Sequence, residues 1–190
     1  MSPYLNHPSK RFLDIVFSLL VLPVALIVLF VAVVATLISS GTPVFFHQER
    51  VGQNGRIFKL RKIRSLKKQF DSVPGAFHSN DDITYVGLFL RKTRVDEIPQ
   101  IWNILVGEMS WVGPRPEVSF HYEHYKALHP EYARRQDAKP GITGLAQLND
   151  PNASPNENLE KLKFDLDYVD NASLTKDIGI LIKSFIIIWK

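Results

Sequence analysis

Residues 15–39 read IVFSLLVLPVALIVLFVAVVATLIS, a run of 25 residues without a charged side chain. A helix rises about 1.5 Å per residue, so this run is long enough to cross the roughly 30 Å hydrocarbon core of a bilayer. Val33-Val34-Ala35 would fit a signal-peptide cleavage site, but the apolar core of a signal peptide is shorter, about 7–15 residues. The run therefore predicts a membrane-embedded helix near the start of the chain.

The flanks of this run bear on whether the helix crosses the membrane or enters and leaves on one face. Lys10 and Arg11 precede it, and a second basic group follows it, consisting of Arg50, Arg56, Lys59, Arg61, Lys62, Arg64, Lys67 and Lys68. Because cytoplasmic segments collect Lys and Arg, positive charge on both sides favours a re-entrant helix. Pro23 removes a backbone hydrogen bond and predicts a kink, but transmembrane helices tolerate proline. The residues alone leave both topologies open.

Asp14 stands at the edge of the apolar run, where a carboxylate needs a partner. Lys10 or Arg11, about one helical turn earlier, is the expected partner. We predict that Lys10, Arg11, Asp14 and Pro23 together position the helix in the membrane.

The composition limits the remaining possibilities. A chain of 190 residues has the size of one domain. A net charge of +4 and an isoelectric point near 9.3 predict an anionic partner, either nucleic acid, a lipid headgroup or a phosphate substrate. Nucleic acid is not expected, because the basic residues lack a stacking platform or recognition motif. The absence of cysteine excludes disulfides and fits a cytosolic location, and the histidines show no metal-ligand spacing.

The rest of the chain predicts a mostly helical α+β body. Residues from 44 onward are β-rich, and Asn54-Gly55 predicts a hairpin turn before a strand at 56–60. Helices are predicted at 85–92, 97–106, 118–135, 159–168 and 177–189, and irregular or turn segments at 67–83, 113–116, 139–144 and 150–156. The last helix is apolar but too short to span a membrane, so it either caps the core or lies at the membrane interface.

The pair Asp96-Glu97 has a structural and a chemical interpretation. Acidic residues are common at helix starts, and Asp96 as N-cap would place Pro99 in the tolerant first turn. Taken alone, the pair favours this structural role. The same placement would keep Asp96 ionised beside an anion-binding helix end, where it could attack phosphorus. Cations that could bind phosphate surround the pair in sequence, among them Lys62, Arg64, Arg91, Arg94, Arg115 and Lys139.

Six motifs occur in order along the chain. They are KRFLD (10–14), PVFFHQERVG (43–52), FKLRKIRS (58–65), LRKTRVDEIPQ (90–100), NILVGEMSWVGPRPE (103–117) and KPGITGLAQ (139–147). Together they resemble the monotopic phosphoglycosyl transferases, a bacterial sugar transferase family that starts glycan assembly on polyprenyl phosphate. The resemblance covers residues 10 to about 190, nearly the whole chain.

The resemblance implies one catalytic domain over residues 1–190. A re-entrant membrane helix at 12–39 would be attached to a compact cytosolic catalytic body at 43–190, which rests on the membrane through amphipathic interface helices. The location implied is the bacterial inner, or cytoplasmic, membrane, with the catalytic domain on the cytoplasmic face. The resemblance thus favours the re-entrant topology over the spanning one.

The resemblance also implies the reaction, in which a sugar 1-phosphate moves from a UDP-sugar to polyprenyl phosphate and UMP is released. Asp96 would be the nucleophile that carries the sugar phosphate in a covalent intermediate, and Glu97 its partner in proton transfer or in metal positioning. Both carboxylates would bind Mg²⁺, the implied cofactor. The residues implied in phosphate or nucleotide-sugar binding are Lys62, Arg64, Arg91, Arg115, Gly141, Thr143 and Gly144. The implied partners are the UDP-sugar, polyprenyl phosphate and membrane lipids, with a homodimer as a further candidate. A non-catalytic membrane-bound scaffold or binding module is the alternative.

Overall fold

The apolar segment forms one long helix, α1, over Pro8–Ser40. The structure is a computed structural model and describes residues 1–67, 82–149 and 158–188. His7 caps the start of α1 through its ring nitrogen, and Gly41 ends the helix at a positive φ of 67°. The helix continues through Pro23, so the proline does not divide it in two.

One face of α1 packs on the protein and the other is bare. The buried positions recur every four or seven residues, at Lys10, Asp14, Ser18, Ala25, Ala32 and Thr36. The opposite face exposes large apolar side chains, including Leu20, Ile27 and Phe30, each about 70% exposed. By length and composition α1 could cross a membrane, and only 17% of its most apolar stretch is buried within the protein. A core helix of a soluble protein would be mostly buried, so the bare face calls for another apolar environment, which makes a membrane protein the natural conclusion.

The first turns of α1 are fastened to the body by charged side chains. Lys10 Nζ lies 2.6 Å from Asp177 Oδ2 and 3.0 Å from the carbonyl oxygen of Val112. The Arg11 guanidinium donates to the last carbonyls of the helix at 100–105. A cleaved signal peptide would remove these buried contacts, so the structure favours α1 as a permanent part of the fold.

The Lys10 charge acts on Asp14, as expected, but neither Lys10 nor Arg11 makes a close ion pair with it. Asp14 Oδ1 instead accepts hydrogen bonds from Ser110 Oγ at 2.8 Å and from the Trp111 amide at 3.0 Å. Backbone and hydroxyl donors thus satisfy this oxygen, while Lys10 pairs with an acid on a distant helix. Asp14 therefore holds α1 in place through a neutral partner.

The far end of α1 is also attached. Arg64 Nη2 donates to the carbonyl oxygens of Ser40 and Gly41 at 2.8 and 2.9 Å. Asn6, before the helix, accepts a 3.1 Å hydrogen bond from Gln53, after it. Both flanks of the apolar segment therefore meet on the same body.

After α1, strands β1 (Phe45–Val51) and β2 (Ile57–Ile63) form an antiparallel hairpin, which confirms that prediction. The turn between them holds Asn54 and Gly55 at positive φ, and the second strand runs three residues beyond its predicted end. Leu60 and Ile63 of this strand are buried in the core, whereas the Lys62 side chain is partly exposed.

The helices that follow agree in part with the predicted ones. Helix α2 covers Tyr85–Lys92 as predicted, capped by Thr84. Helix α3 is only Gln100–Leu105, preceded by a short 3-10 turn at Val95–Glu97. The single helix predicted at 118–135 is wrong. Helix α4 (Ser119–Leu128) ends before Pro130, and a 3-10 segment, Pro130–Asp137, follows because proline disfavours helical backbone in the preceding residue.

The segment predicted as a turn at 139–144 contains a strand instead. Strand β4 (Gly141–Thr143) pairs in parallel with β3 (Ser110–Val112). A Cβ atom on Gly141 or Gly144 would lie 2.2 Å from a backbone atom of Gly113. Glycine is therefore required here because two backbones touch, a tertiary contact that local turn composition does not reveal.

Three further helices complete the body: α5 (Leu145–Asn149), α6 (Asn158–Asn171) and α7 (Leu174–Ile188). The core-capping interpretation of the last helix is confirmed for one side, since Ile180 is buried in the core. Ile182 and Phe185 are more than half exposed, and the membrane-interface interpretation stays a prediction. The predicted loop at 67–83 lies mostly outside the described residues. The predicted loop at 150–156, together with Lys68 and Trp189, lies wholly outside them.

Candidate active site

Asp96 and Glu97 lie in the 3-10 turn between α2 and α3, and both are about 95% buried. The N-cap role predicted for Asp96 is wrong. Pro99 occupies the N-cap position of α3, and no side chain caps either the turn or the helix. Arg94, the residue directly before the turn, has a left-handed backbone (φ 59°) that redirects the chain after α2. The carboxylates are thus placed by a strained turn rather than by helix capping.

Glu97 is surrounded by cations from three parts of the chain. Its Oε1 atom lies 2.8 Å from Lys62 Nζ and 3.0 Å from Arg115 Nη2, with Arg94 Nη1 at 4.0 Å. Burial alone would raise the pKa of Glu97, but Lys62 and Arg115 lower that pKa far below its usual range. Glu97 is therefore an ionised anchor for two cations, a role that does not suit proton transfer near neutral pH.

Asp96 has a different environment from its neighbour. Its Oδ2 atom is 3.9 Å from Lys62 Nζ, whereas Oδ1 is buried and accepts no hydrogen bond from the described residues. Burial raises the pKa of Asp96 above its usual range, and Lys62 opposes that rise. A desolvated oxygen with a raised pKa is a stronger nucleophile when ionised, so Asp96 is the carboxylate equipped to attack an electrophile.

The cations around the pair exceed the carboxylates. Arg91 is held by a 2.8 Å bond from Nε to Ser65 Oγ and acts electrostatically on Asp96. Burial lowers the pKa of Lys62, while the Glu97 charge acts to raise that pKa. Among the residues that the structure describes, four cations act electrostatically on the two carboxylates, and they are Lys62, Arg91, Arg94 and Arg115. The excess of two positive charges fits an anionic ligand such as a diphosphate.

Some predicted binding residues lie elsewhere. Arg64 closes the end of α1, as described above, and Lys139 lies by Arg11 and Lys10 at the start of that helix. Gly141 and Gly144 serve the backbone contact with Gly113. Thr143 does reach the site region, where its Oγ1 is 2.5 Å from Ser184 Oγ.

An apolar cleft of about 400 Å³ leads from α1 to these charges. Its apolar walls include Val21, Val24, Ala25 and Val28 of α1, together with Phe185 of α7. Its polar residues are Thr93, Arg94, Glu97, Arg115, Thr143, Gln147 and Ser184. An elongated apolar group that carries an anionic end fits this arrangement.

The sequence did not predict that a buried ion pair, Arg135 with Asp165, holds the backbone of Arg115 in place. Arg135 Nη2 donates to the Arg115 carbonyl oxygen at 3.0 Å, and Arg135 Nε lies 2.7 Å from Asp165 Oδ2. Both members of this ion pair are about 95% buried. An Arg and an Asp thirty positions apart give no local signal, so this pair was detectable only from the fold.

The two carboxylates fit Mg²⁺ only in company with a ligand. Asp96 Oδ1 is a buried oxygen without a hydrogen bond, which suits a hard cation, whereas Glu97 is engaged with Lys62 and Arg115. In the described ranges, 1–67, 82–149 and 158–188, no group of three His, Cys, Asp or Glu residues could hold a metal ion. Because Mg²⁺ is commonly held by one or two carboxylates plus substrate phosphates, a diphosphate would have to complete the site.

The raised pKa of Asp96 predicts the acid side of the pH–rate profile. Activity that needs the ionised carboxylate should fall as pH decreases, with a midpoint above the usual aspartate value of about 3.9. Arg91 lowers the pKa of Asp96, so Arg91→Met should move this midpoint to higher pH. The neighbouring exposed cation gives the matched control, since Lys92→Met should leave the midpoint in place. If Arg91→Met and Lys92→Met had the same pH–rate midpoint, the assignment of this midpoint to the Asp96 carboxylate would be contradicted.

Comparison with known proteins places these features in a family. The profile described as bacterial sugar transferase matches residues 5–190. A UDP-glucose:undecaprenyl-phosphate glucose-1-phosphate transferase of Caulobacter vibrioides is 37% identical, over 92% of this chain and 67% of that protein. A protein of the same name from Escherichia coli K12 is 42% identical, over 93% of this chain.

The match to an uncharacterized sugar transferase of Bacillus subtilis 168, EpsL, is 37% identical over 90% of this chain and 83% of that protein. The chain spans only 39% of the Escherichia coli relative, so the likeness concerns one part of that longer protein. The match nevertheless includes both the apolar helix and the carboxylate pair. This chain belongs to the bacterial sugar transferase family.

Proposed function

We propose that this protein is a phosphoglycosyl transferase that moves a sugar 1-phosphate from a UDP-sugar to polyprenyl phosphate. The observation that carries the proposal is Asp96 Oδ1, a buried oxygen without a hydrogen-bond partner in the described part of the chain, set among an excess of cations. The relatives named as UDP-glucose:undecaprenyl-phosphate transferases support both the donor and the acceptor.

The proposed reaction has two displacements at one phosphorus atom. Asp96 attacks the β-phosphorus of the UDP-sugar, the bond from that phosphorus to the bridging oxygen breaks, and UMP leaves with the bridging oxygen. The sugar phosphate remains bonded to the carboxylate as a mixed anhydride. An oxygen of the lipid phosphate then attacks the same phosphorus, which restores Asp96 and forms a lipid diphosphosugar.

The cations give this sequence its electrostatic support. Lys62, Arg91 and Arg115 would neutralise the diphosphate as it binds, and Glu97 keeps Lys62 and Arg115 in place. Mg²⁺, held by Asp96 together with the diphosphate, would supply further neutralisation of the leaving phosphate. Because Glu97 already has two cationic partners, we assign it to organising charge rather than to proton transfer.

The apolar cleft suits the lipid substrate. Its α1 wall is continuous with the bare face of that helix, and Arg94 and Arg115 line its polar end. An isoprenoid chain could lie against Val24 and Val28 while its phosphate meets the arginines. This places an amphipathic acceptor between the membrane and the carboxylates.

The attachment of α1 supports a re-entrant topology. Contacts to the body run from Lys10 near its start to Ser40 at its end, and Asn6 touches Gln53 across its flanks. A polar body stays out of the hydrocarbon, so a helix fastened to it at both ends should enter and leave on one face. Because nucleotide sugars are cytosolic, we place the body on the cytoplasmic face of the bacterial inner membrane.

Single cysteines can test this topology, because the chain contains none. Asn6→Cys and Thr42→Cys flank α1, and both positions are exposed. In vesicles of known orientation, an impermeant thiol reagent should label both variants from the same side. Labelling from opposite sides would show that α1 spans the bilayer.

The function itself is tested by UMP release from purified protein in detergent or nanodiscs. UDP-glucose should yield UMP, with lipid-linked sugar as the second product when polyprenyl phosphate is added, and EDTA should abolish both until Mg²⁺ is restored. A scaffold would bind lipid or nucleotide sugar without releasing UMP. Absence of UMP release with every UDP-sugar tried would therefore favour the scaffold.

A further inference from the structure

Gln147 is a polar residue of the cleft to which the reaction above gives no role. It lies on α5, and both its amide nitrogen and its amide oxygen are buried without a hydrogen-bond partner in the described part of the chain. Buried amides in folded proteins are rarely left unpaired, so a ligand is expected to satisfy this one.

The amide is held in position from behind. A Cβ atom on Gly144 would lie 2.7 Å from Gln147 Oε1, so the glycine leaves just enough room for the amide. Gly144 is itself locked against the backbone of Gly113. The amide therefore lies against Gly144 on one side and borders the cleft on another.

The other polar side chains of the cleft already have partners nearby. Thr143 and Ser184 share a hydroxyl hydrogen bond of 2.5 Å, and Glu97 is bonded to Arg115. Gln147 lines the same cleft as Glu97, which is the chain neighbour of Asp96. A group attached to phosphorus at Asp96 would therefore lie beside Glu97, which forms part of the wall of this cleft.

The chemistry of the amide selects among the groups that could reach it. An amide needs a partner that accepts from its N–H groups and another that donates to its oxygen. An ionised phosphate only accepts, and an isoprenoid chain does neither. Hydroxyls of the transferred sugar do both, so neighbouring hydroxyls can satisfy the whole amide. The uracil and ribose of the donor also do both, but they are the same in every UDP-sugar, so binding to them would not change the preference between sugars.

We infer that Gln147 binds hydroxyl groups of the transferred sugar and thereby helps to determine which UDP-sugar is accepted. This inference rests on the proposed function, and it adds a residue that recognises the sugar part of the donor. A site that hydrogen-bonds a particular hydroxyl discriminates against a sugar in which that hydroxyl is displaced.

The test measures the UMP burst without acceptor, so that only the donor half-reaction contributes. UDP-glucose and UDP-galactose differ in the orientation of one hydroxyl, and their N-acetylated counterparts extend the comparison. Gln147→Leu should bring the ratio of the burst rate constants at subsaturating donor, between the preferred sugar and its epimer, at least ~10-fold closer to one. Gln147→Glu keeps the shape and the acceptor but removes the donor, and it should also change the ratio if Gln147→Leu does not fold.

Gln136 provides the matched control, because its buried amide oxygen also lacks a partner in the described residues but lies away from the cleft. Gln136→Leu should leave the sugar ratio unchanged. Unchanged ratios in both Gln147 variants would overturn the inference, as would an equal slowing of the burst with every UDP-sugar. If wild-type protein releases UMP in this assay, the proposed function is supported whether or not the Gln147 variants change the sugar ratio. If wild-type protein gives no burst, the proposed function itself is refuted.

Discussion

Replacing Asp96 by Asn should reduce UMP release and lipid-product formation by at least about a thousandfold, because an amide cannot displace UMP from phosphorus. The fold should not suffer. Burial raises the pKa of Asp96, which means that the folded protein disfavours its charge, so the neutral amide should leave the melting temperature unchanged or slightly higher. The Asp96→Asn variant should therefore lose its activity while it keeps its melting temperature.

Glu97→Gln is the informative comparison, since the two carboxylates are adjacent and equally buried. This change removes the anion that holds Lys62 and Arg115, so it should both lower activity and lower the melting temperature. If Asp96→Asn kept wild-type turnover while Glu97→Gln had none at normal stability, the roles assigned to the two residues would be reversed.

Asp165→Asn should cause the largest loss of stability. Burial raises the pKa of Asp165 as it raises that of Asp96, but Asp165 is bonded directly to a buried guanidinium. The change leaves Arg135 without that anion, and breaking a buried pair in this way costs about 3–5 kcal/mol. For a chain of this length the melting temperature should fall by about 6–20 °C. Activity should fall as well, because Arg135 also holds the backbone of Arg115. Thermal melts and UMP release measured on the same sample check both effects.

The matched control is on the same helix. Asp167 pairs with Lys176 at 2.9 Å, but its side chain is 48% exposed. Asp167→Asn should cost less than about 1 kcal/mol and leave activity unchanged. Equal losses for the buried and the exposed aspartate would mean that the Arg135–Asp165 pair does not support the site.

The sequence predicts those parts of the fold that local chemistry decides. Uninterrupted apolar character predicts α1, the Asn54-Gly55 turn predicts the hairpin, and Thr84 before an apolar run fits the start of α2. Each depends on residues close together in the chain. The break at Pro130 was also readable from proline chemistry, but the helical pattern on both sides of it led to one predicted helix.

Features decided by distant contacts could not be read in this way. The parallel pairing of β3 with β4 depends on glycines some thirty residues apart, and Lys10 finds its partner at Asp177 rather than at nearby Asp14. The same limit applies to the site. Sequence singled out Asp96, Glu97 and their cations, but the division of roles between the two carboxylates depends on which of them the cations contact.

The central claim is that Asp96 forms a covalent bond to phosphorus. Protein mixed with a UDP-sugar without acceptor, quenched and digested, should yield a peptide containing Asp96 that carries a sugar phosphate, and the modification should disappear when polyprenyl phosphate is added before the quench. Lipid-linked product formed at the normal rate with no such adduct, or with the adduct on another residue, would contradict the account.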